Sequence, residues 1–479
     1  MLLPINASCS LCSRVFKVKK ENGMEYRKNI NRVLRTQVLV IGGGAAGFGA
    51  AVASARNGAD TLLIEKSEML GGMATAGLVG PFMTCYDDDG QEQIVKGIFD
   101  ELCRRTEEKQ GAIHPSKVEG MTTYSSYYIR SHRHVTPFLS EILEIVMEDM
   151  VKEAGVKLLY NVQLCDVMTE EGRITGVLVS MKEGLAVIQA DTYIDCTGDA
   201  DVAYYAGEEC VMGDERDNVM QPASLFFEVG NIDRDKFVGA LEEKKKEGRL
   251  GIPGENCWSW YIQEARENGD WTIDRKEIGN YEQPVEGRWK INTTRMAHID
   301  ATNTEDITNG IMEGRKQVQQ ILAFMKKYVP GCEKIQLLQV ASTLGVRETR
   351  HIKGRYKLTA QDILERKHFE DAICTFAYAI DIHNSEGGGA TFKEVNKYYT
   401  IPFRCLVPAD IKNLLVAGRC ISGTSEAAAS YRVIPCCIAT GQAAGTAAAM
   451  ALQEGCMAGD VNTENLVQRL KEQDVVIKE

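Results

Sequence analysis

The chain has 479 residues, with 55 Lys and Arg against 67 Asp and Glu, which gives a formal net charge of −12. Its length suggests two or three domains, and 44% hydrophobic with 25% charged residues is the composition of a globular protein. An acidic chain lacks the positive surface that nucleic-acid binding needs, so we expect no nucleic-acid partner. The 15 Cys, an odd number, favour a reducing, cytoplasmic location over a disulfide framework.

Three segments bear on targeting and membranes. Residues 1–35 hold eight basic residues against two acidic ones, and we predict a basic, disordered N-terminal extension there. Residues 37–54 and 433–452 are uncharged, but the first holds five glycines and the second consists largely of alanine. Neither has the density of large apolar residues that a bilayer core requires, so we predict no membrane span.

The first chemical signal is a strand–turn–helix pattern. Residues 37–41 form an apolar, β-branched run typical of a buried parallel strand, and residues 42–47 match G-x-G-x-x-G. A helix of small residues and a second strand follow, ending at Glu65. In such a unit the glycines allow a tight turn, a close approach of a pyrophosphate and close helix packing, and the acid binds the ribose diol. The predicted dinucleotide-binding residues are Gly42, Gly43, Gly44, Ala46, Gly47 and Glu65.

The loop after this unit favours FAD over NAD. An NAD dehydrogenase would continue into a third strand, whereas here Lys66 leads into a loop with the pair Gly71 and Gly72, followed by Met73. A glycine pair lets the backbone lie against a longer cofactor. These residues resemble the FAD-dependent oxidoreductases of the glutathione-reductase-like superfamily, and within it the large bacterial group named simply FAD-dependent oxidoreductase.

The resemblance extends over residues 37–450. Residues 157–163 are similar to the strand that contacts adenine, residues 190–201 to a strand that passes the pyrophosphate, and residues 413–445 to a third strand and a helix aimed at the flavin pyrimidine. The resemblance implies further FAD contacts at Val162, Thr197, Gly198, Asp199, Gly418, Arg419, Arg432 and Ile434. Aromatic-ring hydroxylases of the superfamily carry Gly-Asp where this chain has Gly418-Arg419, which weighs against a monooxygenase. We interpret Cys436 and Cys437 as buried thiols.

The resulting fold prediction is α/β, with a Rossmann-like FAD-binding domain built from discontinuous segments and an inserted β-rich α+β substrate domain. We assign residues 36–214 and 396–479 to the FAD-binding domain and residues 215–395 to the substrate domain. Within the insert we expect a strand over 221–229 and helices over 235–247 and 304–328.

The insert carries the candidate catalytic residues. Arg347 and Arg404 could hold a carboxylate or stabilise an enolate-like transition state, as could Arg350. His383 or Tyr399 could move a proton near neutral pH. Surface ion pairs for the arginines and a structural, hydrogen-bonded role for His383 remain as alternatives. We predict no metal site.

The sequence therefore predicts an FAD-dependent oxidoreductase of the dehydrogenase or reductase type. It would transfer a hydride between a small organic substrate and flavin N5, with an external electron donor or acceptor closing the cycle. An NAD-dependent dehydrogenase and a non-catalytic, flavin-binding redox sensor are the alternatives. An oligomeric assembly is compatible with the sequence.

Overall fold

A computed structural model of the protein describes residues 29–128, 132–215, 218–250, 257–384 and 389–478. Most of the predicted N-terminal extension, residues 1–28, lies outside these ranges. The first strand begins at Val33, four residues before the predicted start at Gln37, so the end of that extension belongs to a sheet.

The strands are short, apart from four that run for eight residues or more. In the described ranges they are, in chain order, β1 (Val33–Ile41), β2 (Thr61–Ile64), β3 (Lys157–Leu159), β4 (Gln163–Glu170), β5 (Arg173–Met181), β6 (Gly184–Asp195), β7 (Cys210–Met212), β8 (Phe227–Gly230), β9 (Gly279–Glu282), β10 (Trp289–Asn292), β11 (Gln336–Val340), β12 (Arg350–Ile352), β13 (Ala372–Phe376), β14 (Ile380–His383), β15 (Ala390–Lys393), β16 (Tyr399–Pro402) and β17 (Leu414–Val416).

The helices of the same ranges fall into two groups, those around the first sheet and those of the insert. They are α1 (Ala45–Arg56), α2 (Ile98–Glu108), α3 (Ser140–Glu153), α4 (Asp201–Ala206), α5 (Arg234–Lys246), α6 (Ser259–Glu267), α7 (Thr304–Tyr328), α8 (Ala360–Leu364), α9 (Ser425–Tyr431), α10 (Ile434–Glu454) and α11 (Thr463–Glu472).

The main sheet is built around β1 and β6. Strands β3, β2, β1, β6 and β17 are parallel neighbours, and β5 and β4 extend the sheet antiparallel from the first half of β6. Alternate residues of β1 enter different apolar layers: Val38 and Val40 pack on one side, Leu39 and Ile41 on the other. Burial on both faces explains why this strand is a continuous apolar run. The α/β fold with a parallel sheet is confirmed.

Helices α1 and α10, which are far apart in sequence, pack closely against each other. An added Cβ at Gly441 or Gly445 of α10 would lie 2.1 Å from a backbone carbonyl oxygen of α1, that of Ala46 or Ala50 respectively. The backbones of α1 and α10 therefore touch directly, and only glycine fits at these two positions. This contact explains why both helices are rich in small residues.

The insert between β6 and β17 contains a second sheet. Its strands are antiparallel in the order β11-β8-β10-β9, and α5 and α7 occur where sequence patterning predicts them, within one residue at each end. Its middle holds charged groups, because Lys290 faces Glu228 across the strands and both are buried. Lys290 Nζ donates to Ser140 Oγ at 2.9 Å and lies 4.2 Å from the centre of the Phe138 ring. Burial lowers the pKa of Lys290 to about 8.

The apolar helices were compared with the requirements of a membrane span. Among the described residues no individual helix has the length and hydropathy to cross a bilayer. Helices α9 and α10, which meet at a bend of 94°, meet these requirements only when taken as a pair.

Candidate active site at the carboxyl edge of the main sheet

The turn between β1 and α1 has the conformation that its glycines predict. Gly42 adopts a φ of +100°, and an added Cβ there would lie 2.5 Å from the carbonyl oxygen of Cys196 at the end of β6. An added Cβ at Gly47 would lie 1.7 Å from the carbonyl oxygen of Gly42. The turn is thus packed tightly against both its own helix and the neighbouring strand, as in dinucleotide-binding units.

The N-terminus of α1 is open. Gly44 is its N-cap, no side chain caps the helix, and the first turn carries no acidic residue. An added Cβ at Gly44 would have no heavy atom within 4 Å. Free backbone N–H groups and the positive end of a helix dipole facing open space form an anion site. The residues around Gly44 therefore fit the diphosphate of a dinucleotide.

Glu65 connects three segments of this region. Its carboxylate accepts a hydrogen bond from the Gly43 N–H at 2.6 Å and two from Ser67, through N–H and Oγ, both at 2.8 Å. Its carbonyl oxygen accepts the Val162 N–H at 3.0 Å, and the Gly71 N–H donates to the Gly43 carbonyl at 2.9 Å. The predicted adenosine-binding residues are therefore neighbours. Lys66, beside them in sequence, is exposed.

Gly43 is also closely surrounded by other residues. Its added Cβ would lie 2.8 Å from Leu70 and 3.0 Å from Glu65, and an added Cβ at Gly72 would lie 3.1 Å from the Cα of Gly44. Ala46, in the first turn of α1, is buried. The loop that contains Gly71 and Gly72 thus lies directly over the turn.

The carboxyl ends of β6 and β17 meet beside the turn. Arg419 forms an ion pair with Asp199 and donates through Nη1 to the Val346 carbonyl at 2.6 Å. An added Cβ at Gly198 would lie 3.1 Å from Arg419 Nε, and one at Gly418 would lie 2.9 Å from Ala46. The segments around Gly198 and Gly418, both predicted to bind FAD, are therefore in contact with one another.

Asp195 fixes the end of β6. Its carboxylate is fully buried and accepts hydrogen bonds from the N–H and Oγ1 of Thr197 and from the Ala203 N–H, at 3.0, 2.7 and 3.0 Å. Burial raises the pKa of Asp195 to about 6, since the hydrogen bonds compensate only part of the lost hydration. Asp195 holds the Thr-Gly turn in place.

A cavity of about 160 Å³ opens from this edge towards the insert. It is lined in part by predicted cofactor-binding residues, namely Met73, Arg419, Arg432 and Ile434, and in part by the predicted catalytic residues Arg347 and His383. Apolar side chains, among them Phe82 and Phe226, form much of the remaining wall. Two groups of residues that the sequence assigned separately therefore share one cavity.

Polar residues at one side of the cavity form a connected group. Asp381 Oδ2 lies 3.3 Å from His383 Nε2 and accepts a hydrogen bond from Tyr378 at 3.4 Å. Burial, together with the charge of Arg347, lowers the pKa of His383 to about 3. Burial alone would raise the pKa of Asp381, but the contact with His383 and the charges of Arg432 and Arg347 hold it below its usual range. The arrangement keeps a carboxylate beside a neutral imidazole.

Two predicted catalytic residues lie elsewhere, since neither lines this cavity. Tyr399 is buried in the apolar core, where its hydroxyl meets Ser430 Oγ at 2.7 Å. Arg404 is half-exposed and pairs with Asp371 through Nε and Nη2, at 2.9 and 3.0 Å. Arg350, considered with them, pairs with Asp201 at 2.8 Å. Their distribution over three places argues against a shared substrate site.

Tyr378 and Asp381 line the cavity but were not selected from the sequence. A signal for Asp381 was present, because it precedes His383 by two residues, and residues i and i+2 of a strand point to the same side. Both belong to β14. No comparable spacing marks Tyr378. No group of three or more His, Cys, Asp or Glu side chains suited to a metal ion occurs among the described residues.

The open helix end, the acid after β2 and the parallel sheet define a Rossmann-like dinucleotide-binding protein. A family model described as FAD dependent oxidoreductase matches residues 37–470. The chain belongs to this family, and its cofactor is FAD. The prediction of an FAD-dependent oxidoreductase is thereby confirmed. No curated protein matches the chain.

Several solved structures match the chain at low sequence identity and with TM-scores below 0.5. A geranylgeranyl bacteriochlorophyll reductase-like protein from Thermoplasma acidophilum is 14% identical, with 93% of this chain and 85% of that chain covered, at a TM-score of 0.43. The p-nitrophenol 4-monooxygenase of Pseudomonas putida is 10% identical, with coverages of 92% and 84% and a TM-score of 0.45. The myxobacterial chondrochloren halogenase is 13% identical, with coverages of 92% and 79% and a TM-score of 0.41. No conclusion about activity follows from these similarities.

Proposed function

We propose that the protein is a dehydrogenase or reductase that transfers a hydride between a small organic substrate and N5 of FAD. An external electron donor or acceptor would close the cycle. The observation that carries the proposal is the single cavity shared by Met73, Arg419 and Ile434 of the FAD-binding segments and by Tyr378 and His383 of the insert. A substrate bound there would lie between the cofactor segments and groups able to move a proton.

The cofactor would be held along the carboxyl edge of the main sheet. The N–H groups at the start of α1 would bind the diphosphate, and Glu65 would accept hydrogen bonds from the ribose. FAD, when bound, supplies the ring position that accepts or delivers the hydride. The N-terminus of α10, which begins at Ile434 in the cavity wall, would place positive potential beside that ring.

The chain's own contribution to the reaction would be positioning and proton transfer. Nε2 of His383 faces the Asp381 carboxylate, so the neutral imidazole donates its N–H there and keeps its lone pair on Nδ1. Nδ1 would accept the proton that leaves the substrate when a hydride is removed, and Asp381 would stabilise the imidazolium formed. With a pKa of about 3 the unliganded imidazole is a weak base at neutral pH, contrary to the sequence expectation, so this transfer would require a bound group that offsets the charge of Arg347. Phe82 and Phe226 would exclude water.

We also propose the domain division that the sequence predicts, with residues 36–214 and 396–479 binding FAD and residues 215–395 covering the substrate. It is supported by the pairing of β17 with β6, which brings the C-terminal segment into the main sheet. The parallel strands with an antiparallel extension likewise support placement in the glutathione-reductase-like superfamily.

The experiment distinguishes hydride transfer from a reaction that inserts an oxygen atom of O₂ into the product. Purified holoenzyme is incubated strictly without oxygen with candidate alcohols, amines and saturated acids, together with an artificial electron acceptor; photoreduced enzyme is incubated with unsaturated counterparts. Turnover in either direction without oxygen supports the proposal. Turnover that requires O₂ and places one of its oxygen atoms in the product would refute it, as would a flavin that reduces but never transfers electrons to or from an organic compound.

A further inference from the structure

The charges around the cavity are unevenly distributed. Three arginines line it, Arg347, Arg419 and Arg432, against one acidic residue, Asp381. Arg419 is already neutralised by its ion pair with Asp199. The other two guanidinium groups therefore determine what the cavity attracts.

Among the described residues, neither of these two guanidinium groups has a carboxylate within salt-bridge distance, and the nearby charge of Asp381 is shared between them. Arg347 donates through Nη1 to the Pro222 carbonyl, and Arg432 donates through Nη2 to the backbone carbonyl of Asp381 at 3.1 Å. Counting only the described part of the chain, neither forms a salt bridge, and Nε of Arg432 is buried without a hydrogen-bond partner. Unpaired guanidinium groups at a buried wall cost free energy that an anionic ligand would recover.

More positive charge lies behind the wall. Besides burial, the charges of Arg432, Arg275 and Arg295 act against the protonated form of Arg347 and lower its pKa to about 9, with Asp381 opposing them. Arg432 also has a buried acid near it, Glu348, which contacts Gln221 and His351 and does not line the cavity. The described charged groups around the cavity therefore include more arginines than acids, and a bound anion would relieve the repulsion among the arginines.

Much of the rest of the wall is apolar, although Ser224 and Asn292 also line it. Val79, Phe82, Met83, Phe226 and Val433 line it. A cavity lined both by cationic donors and by apolar side chains suits a small amphiphilic anion. Arginine's planar fork matches a carboxylate, which can accept two parallel hydrogen bonds.

We propose that the substrate of the reaction is a small carboxylate with an apolar body, and that Arg347 and Arg432 bind its carboxylate group. The inference rests on the proposed function, since it names the substrate class of that same cavity. It assigns Arg432 to the substrate, in contrast to the cofactor contact that sequence resemblance implies. Arg347 and Arg432 would orient the carboxylate so that the carbon beside it faces the cofactor segments.

The test compares acids with their amides on the holoenzyme. Flavin absorption and isothermal titration calorimetry follow the binding of benzoate and hexanoate, and of benzamide and hexanamide, which have the same bodies without the charge. We expect at least one acid to bind about tenfold or more tightly than its amide. Equal affinity of both acids and their amides, or no binding of either acid, overturns the proposal.

Variants locate the binding groups. Arg347→Met and Arg432→Met should each raise the Kd of the acid about tenfold to a hundredfold, the factor for one lost charge-assisted contact, without changing the Kd of the amide. Arg469→Met, which removes a half-exposed charge on α11, is the matched control and should leave both values unchanged. An unchanged acid Kd in Arg347→Met overturns the proposal, and loss of FAD from Arg432→Met overturns the assignment of Arg432.

Two further measurements distinguish a wrong substrate class from a wrong proposed function. Arg347→Lys retains the charge and should bind the acid with a Kd between those of wild type and Arg347→Met, which a purely structural role would not produce. Anaerobic turnover is assayed in parallel. Turnover without discrimination between acids and amides refutes the substrate class alone. Binding of acids by an enzyme whose turnover requires O₂ and places one of its oxygen atoms in the product refutes the proposed function alone.

Discussion

Gly44→Ala separates binding of FAD from folding of the protein. Gly44 has φ −68° and ψ −169°, a conformation open to any residue, and its added Cβ has no heavy atom within 4 Å. The unliganded fold should therefore accept the methyl group, with a gain of about 0.4–1 kcal/mol from the less flexible unfolded chain. The same methyl group would stand where a phosphate oxygen must approach the N–H groups of α1.

The expected loss of affinity follows from the hydrogen bonds that the methyl group prevents. A hydrogen bond to a charged group contributes about 1.5–3 kcal/mol, so each bond lost raises the Kd for FAD about tenfold to a hundredfold. Fluorescence titration of the apoprotein with FAD measures the Kd, and thermal unfolding of the apoprotein measures the stability. Gly239→Ala, on α5 and equally free of neighbours within 4 Å, is the control.

Gly47→Ala should have the opposite effect, because it destabilises the fold itself. Its Cβ would lie 1.7 Å from the Gly42 carbonyl oxygen, so the apoprotein itself should lose stability. A Gly44→Ala protein with the wild-type Kd for FAD would refute the diphosphate site. An unstable Gly44→Ala apoprotein would show that the space around Gly44 is filled.

Three further variants test other parts of the site. Glu65→Gln replaces an acceptor of the Gly43 N–H and removes its charge, and FAD affinity by fluorescence titration should fall about tenfold; unchanged affinity contradicts the role of Glu65. His383→Gln should lower anaerobic turnover about 100-fold or more at constant FAD content, and full turnover would exclude proton transfer by His383. Lys290, with a pKa of about 8 against 10.5 when free, lacks a proton in the folded state that the unfolded chain retains between these pH values. The stability of wild type relative to Lys290→Met, from denaturant unfolding, should therefore rise across that window by up to about 3 kcal/mol, and a flat difference contradicts the shift.

The nucleotide-binding unit was predictable because its determinants are local. Strand β1, the glycine turn, α1 and Glu65 lie within 33 residues, and the first and last glycines of the turn, Gly42 and Gly47, have steric reasons that sequence spacing reveals. Helix α7 was predictable for a similar reason, since Asn303 caps it and its apolar residues repeat with helical period. Such patterns need no knowledge of the rest of the fold.

Residues 221–229 show where local pattern fails. They read as one strand, but only Phe227–Gly230 forms β8, because Ala223 and Ser224 pair instead with Met296 and Gly345 through isolated bridges. Those partners are more than 70 residues away in sequence. Tertiary contacts override strand propensity there.

The candidate catalytic residues show the same limit. Arg347 and Arg404 carry the same group, yet one lines the cavity and the other pairs with Asp371 on the surface. Which of them reaches the cavity depends on tertiary packing, and no spacing in the sequence encodes that. Only for Asp381 did a strand-period signal exist.

The glycine contact between α1 and α10 has a consequence for biosynthesis. The ribosome delivers residues 45–56 nearly 400 residues before it delivers the helix that covers them. Until α10 is made, no helix packs against the carbonyl oxygens of Ala46 and Ala50, and β6 lacks its neighbour β17. A nascent chain can thus form the nucleotide turn early but can close the domain around it only after α10 has been synthesised, so premature termination anywhere before residue 434 leaves a product unable to mature.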